Sequence, residues 1–61
     1  MTAEEQKRYL KISAKIGISR SHGESRLTVG TIPSKIRTVL KKEGFKVEYV
    51  RFAGYYEITW N

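Results

Sequence analysis

A chain of 61 residues makes one small domain, which buries only about 60% of the surface its unfolded form exposes; with no Cys and a single His, His22, it has neither a disulfide nor a structural metal to reinforce it. Twelve Lys and Arg stand against six acidic residues, all Glu, for a formal net charge of +6, which is either a solubilising surface or the mark of an anionic partner such as nucleic acid. The excess is confined to residues 1 to 46, and residues 47 to 61 carry Arg51 against Glu48 and Glu57. No segment has the pattern of a signal peptide, and no apolar run approaches the roughly 20 residues of a membrane span. The expectation is a soluble cytoplasmic protein with no cofactor, no metal and no membrane partner.

Thr2 followed by Glu5 has capping-box spacing and predicts the start of a first helix. Tyr9, Ile12 and Ile16 then recur as one narrow apolar stripe, with Leu10 or Ala14 on its flank, until Gly17 weakens the helix. Lys7, Lys11 and Lys15 stack on the other side, either as a solvated face or as a phosphate-binding row. Residues 19 to 26, SRSHGESR, lack periodicity and read as a loop. Ser21, His22 and Glu24 are the residue types of a hydrolytic triad, but neighbours in one loop do not align as nucleophile, base and orienter. Either the segment is a mobile connector with no ligand, or Arg20 and Arg26, with the Ser hydroxyls and Gly23, meet a phosphate.

Leu27 and Val29 alternate with Thr28 in a half-buried strand pattern that ends before Pro33. Pro33 suits the first turn of a helix, since it lacks only an amide that would be unpaired there. A second helix therefore runs from about Pro33 to Glu43, with Ile36, Val39 and Leu40 inward and Lys35, Arg37, Lys41 and Lys42 making the rest basic. Gly44 provides the left-handed cap, and Phe45 behind it can touch Leu40 as in a Schellman motif.

The remaining stretch, FKVEYVRFAGYYEITW, is a hairpin whose faces follow from strand alternation. Phe45, Val47 and Tyr49 share one side with Tyr56, Ile58 and Trp60, and these are expected to be core. Lys46, Glu48, Val50 and Phe52 take the other side with Tyr55, Glu57 and Thr59. A two-residue turn would pair Tyr49 with Ile58; a four-residue turn over residues 51 to 54 would pair it with Tyr56.

The order α-β-α-β-β gives an α+β fold: a single domain with a three-stranded sheet and two helices on one face. YYEITW, the most β-prone segment, belongs in the middle, antiparallel to both neighbours. A winged helix is the alternative, with residues 34 to 43 as recognition helix and the hairpin as wing. Residues 26 to 60, with Gly44 and Phe45 at the helix end and Tyr56, Ile58 and Trp60 in the closing strand, resemble small phage-encoded α/β proteins that end on Tyr-x-Ile-x-Trp. The resemblance implies a viral origin and a bacterial cytoplasm, and it carries no activity with it.

Without a carboxylate pair, a metal cluster or a placed nucleophile, the sequence gives no ground for an enzyme. Two function classes remain. In the first, Lys7, Lys11, Lys15, Arg20, Arg26, Lys35, Arg37, Lys41, Lys42 and Arg51 contact phosphates, and Phe52 and Tyr55 stack bases if the strands are single. In the second, a host protein docks on the open sheet face with Val50, Phe52 and Tyr55 as anchors. A homodimer through that face fits the same pattern. A basic helical side favours the first class and an apolar sheet face the second.

Overall fold

In the computed structural model, which describes residues 1–60, both halves of the capping box are made. Thr2 Oγ1 accepts from the Glu5 amide at 3.2 Å, and Glu5 Oε1 accepts from the Thr2 amide at 2.8 Å. Helix α1 follows over Ala3–Ser21. It passes through Gly17, so residues 19 to 21 of the expected loop are helical and only residues 22 to 25 connect. The stop signal is Gly23. At φ +77° it sits in the left-handed region where a glycine has no Cβ to clash, and the Gly23 and Glu24 amides donate to the Arg20 and Ser19 carbonyls in a Schellman closure.

Strand β1 spans Arg26–Val29, α2 spans Ser34–Lys42, β2 spans Lys46–Val50 and β3 spans Tyr55–Thr59. The end of α2 repeats the chemistry of the end of α1. Gly44 lies at φ +96°, and the Phe45 amide donates to the Leu40 carbonyl at 3.0 Å, as its sequence predicts. Pro33 caps the start of α2, where the Arg37 amide donates to its carbonyl at 3.0 Å.

The sheet order is β1-β3-β2 with both pairings antiparallel, so β1 and β2 run in the same direction and α2 crosses over between them. With two helices and a three-stranded sheet in the order α-β-α-β-β, the chain has the expected α+β arrangement. The hairpin uses the four-residue turn, placing Tyr49 opposite Tyr56 and Val47 opposite Ile58. The Trp60 amide donates to the Ser25 carbonyl at 3.0 Å and extends the β1–β3 pairing by one position.

Both helices cover one face of the sheet, α1 over β1 and α2 over β2. The buried cluster is Ile12 and Ile16 from α1, Ile36 and Leu40 from α2, Ile58 from β3 and Ile32 from the β1–α2 connection. Tyr9, Leu27, Val29, Phe45, Val47, Tyr56 and Trp60 pack around it, half-buried. Two expectations need correction. Tyr49 is not core but 53% exposed, because β2 is an edge strand; its ring leans on Tyr56 with centroids 5.0 Å apart. Phe52 does not lie on the open face beside Val50, because the turn over residues 51 to 54 breaks the alternation and leaves its ring wholly exposed.

The two helix-related glycines should respond in opposite directions to alanine. At Gly17 a Cβ meets nothing within 4 Å, so Gly17→Ala should raise stability by about 0.5 to 1 kcal/mol through better helix propensity. At Gly44 there is equal space, but the left-handed backbone makes Gly44→Ala cost about 1 to 2 kcal/mol. Thermal melting of the two variants against the parent reads both signs. In the core, Ile58→Ala should cost about 2 to 5 kcal/mol, against the roughly 3 to 5 kcal/mol a domain this small commonly has. Circular dichroism should then show no cooperative transition, while Ile58→Val should keep one at a lower midpoint.

Candidate nucleic-acid interface

The open face of the sheet is not the apolar surface that a protein-docking face would present. By alternation it carries Arg26 and Thr28 from β1, Tyr55, Glu57 and Thr59 from β3, and Lys46, Glu48 and Val50 from β2. Glu48 and Glu57 sit directly opposite one another, an arrangement that destabilises a sheet unless each carboxylate finds a cation. Both do: Arg26 pairs with Glu57 at 3.5 Å and Lys46 with Glu48 at 3.0 Å. Tyr55 lies opposite Val50, so Tyr55 and Phe52 do not form a cross-strand pair.

Two further arginines of the expected phosphate-binding set are held against the fold. The Arg37 guanidinium donates to the Ile32 carbonyl at 2.9 Å and to the Tyr56 hydroxyl, and it lies 5.1 Å from the Tyr56 ring centroid. It thereby ties the start of α2 to the central strand. The Arg20 guanidinium lies 5.4 Å from the Phe45 centroid and 6.0 Å from that of Trp60, two rings that meet edge to face at 6.2 Å. The loop expected to gather Arg20 and Arg26 around a phosphate therefore sends them to different neighbours. Ser21 Oγ donates to the Ile18 carbonyl at 2.7 Å, which is a helix-end bond.

Except for Arg51, the remaining cations lie on the helices. Lys35 is at the start of α2, where its charge helps hold the Glu5 carboxyl below its ordinary range; the larger cause is the hydrogen bond from the Thr2 amide. Lys41 and Lys42 close α2 next to the negative end of its dipole, Lys7 lies on the outward face of α1, and Arg51 is in the hairpin turn. Three cations come together beside β1. There Arg8, Lys11 and Lys15 line an open groove of about 250 Å³ with Ile12, Val29 and Thr31.

No family model, curated protein or solved structure matches the chain. The groove thus rests on its own geometry. Arg8, which the lysine ladder passes over, completes it: Arg8, Lys11 and Lys15 recur at i, i+3 and i+7 and share one flank of α1, whereas Lys7 is turned outward. That spacing was visible in the sequence, but the evenly spaced lysines suggested a different row. On the opposite flank of α1, Tyr9 donates to Glu43 Oε2 at 2.7 Å, and this bond to a carboxylate raises the phenol above its ordinary pKa. This bond links α1 to the end of α2 on the flank away from the groove. Among the described residues no group of His, Cys, Asp and Glu could hold a metal ion, and no helix is long and apolar enough to cross a membrane.

Arg37 separates a structural cation from a contact cation. Arg37→Lys keeps the charge but loses the planar fork that reaches both Ile32 and Tyr56, so the melting midpoint should fall, by about 1 to 3 kcal/mol of stability if the Ile32 carbonyl is left unpaired. Any polyanion affinity of the folded variant should match the parent's.

Proposed function

We propose that this protein is a small accessory factor that binds nucleic acid by contacting phosphates with the exposed cations of its helical side. The observation that carries this reading is the partition of charge: the open sheet face matches its Arg and Lys to Glu, while Arg8, Lys11 and Lys15 converge on the α1–β1 groove with no carboxylate lining it. Lys7, Lys35, Lys41 and Lys42 extend the same positive side. Contacts of this type give an affinity that is nearly independent of sequence and falls steeply with salt. The setting we propose is the cytoplasm of a phage-infected bacterium, supported by the resemblance of residues 26 to 60.

A second reading has one observation in its favour. Phe52 is fully exposed at the hairpin turn with Arg51 beside it, and an aromatic ring next to an arginine is a common anchor at protein interfaces. On this reading the protein modulates a host protein through the hairpin end rather than through the whole open face.

The two readings separate in a gel shift run beside a pull-down from nuclease-treated bacterial lysate. Nucleic-acid binding should be clear at about 50 mM salt and much weaker at about 200 mM. Lys11→Glu with Lys15→Glu should abolish it while the melting midpoint stays within about 0.5 kcal/mol of the parent's stability, as expected for surface positions. Absence of a shift at the lower salt, with a host protein captured in a Phe52-dependent way, would replace the first reading by the second.

A further inference from the structure

We infer that the α1–β1 groove takes the sugar–phosphate backbone of a duplex, and not a single strand whose bases stack on the protein. This deepens the nucleic-acid reading and rests on it. A single-strand site combines cations with aromatic rings along one track, because each base is held by its flat face while the backbone is neutralised. The groove has the cations but no ring: its lining is Arg8, Lys11, Lys15, Thr31, Ile12 and Val29.

Every aromatic side chain lies elsewhere. Tyr9 is on the far flank of α1, bonded to Glu43. Phe45 and Trp60 pack on one another beneath Arg20, and Tyr49 and Tyr56 form a pair over β2 and β3. Tyr55 is on the open face, with the sheet between it and the helices, and Phe52 is in the turn joining β2 to β3. The sheet order sets β2 at the opposite edge from β1.

The backbone of β1 adds donors of the right kind. Ser25 accepts from Trp60 across the β1–β3 pair, and by the alternation of antiparallel pairing Leu27 and Val29 also turn their amides toward β3. Arg26 and Thr28 therefore turn theirs away from β3, toward the free edge of the strand that also lends Val29 to the groove. Backbone amides and a threonine hydroxyl beside three cations are the ordinary equipment for phosphate oxygens. A site that offers charge and amides alone gains most from the most densely charged partner, since counterion release is greater from a duplex than from a single strand.

The test is fluorescence anisotropy with a short labelled duplex, a duplex of scrambled sequence and the isolated single strand, titrated over about 50 to 200 mM salt. Both duplexes should bind alike and more tightly than the strand. With three phosphates engaged, the log–log salt slope should be near about −2.7. Arg8→Gln should reduce it by about 1; Lys11→Gln and Lys15→Gln serve if that variant fails to fold. Phe52→Ser with Tyr55→Ser should leave duplex binding unchanged. Tighter binding of the strand, or loss of binding in the Phe52/Tyr55 variant, would overturn the duplex inference and leave nucleic-acid binding standing. Displacement of the duplex by polyglutamate at equal charge would also overturn it, in favour of an acidic protein ligand. Failure of all three probes at the lowest salt would remove the nucleic-acid reading itself.

Discussion

The pairing of β3 with a strand on each side is the constraint on which the rest of the molecule depends. Ile58, at 0% exposure, is the fully buried residue of β3, with Leu27 on one side of it and Val47 on the other. Because β1 and β2 both pair with β3, they are separated by a full strand width, and the chain must travel between them through α2. That route lays α2 over the sheet and leaves α1 over the β1 side. Ile32, at 1% exposure in the connection, fills the space where this crossover leaves β1.

The same topology decides which charges are spent on the fold. A three-stranded sheet covered on one side exposes its other face completely, and the opposed Glu48 and Glu57 on that face engage Lys46 and Arg26. Arg37 and Arg20 are taken up by aromatic and carbonyl partners at the two ends of the helix layer. The β1 flank of α1 keeps Arg8, Lys11 and Lys15 together, with Glu4 and Glu5 beside Arg8 at its start, and the edge amides of β1 share that flank.

Much of this was legible in the sequence where one local rule acts alone. Thr2–Glu5, Gly44–Phe45 and the alternation of Tyr56, Ile58 and Trp60 each gave the observed structure, and together they gave the order of elements and the central place of the last strand. The errors fall where two rules compete. Gly17 looked like the end of α1 because glycine weakens a helix, yet Ile16 before it and Ser19 after it are both buried and hold the helix together; the true stop, Gly23, was hidden in a polar run. Tyr49 has the right alternation for the core but belongs to an edge strand. Phe52 was assigned by extending strand periodicity through residues that turn. Ile32 belongs to neither period. Arg8 was overshadowed by a more regular row of lysines.

Placing the last strand at the centre of the sheet also orders the events of synthesis. The paired residues Leu27 and Ile58 are far apart in the chain, and β1 and β2 have no strand partner until β3 has left the ribosome. Up to that moment α1 and α2 can form as isolated helices, but α2 is a nine-residue segment, shorter than the roughly 12 to 15 residues at which an isolated helix becomes marginally stable in water. The nascent chain therefore carries its apolar side chains without a sheet to cover them, and assembly waits for the final strand. The sheet therefore cannot assemble strand by strand as the chain emerges, since both outer strands need β3 as their partner.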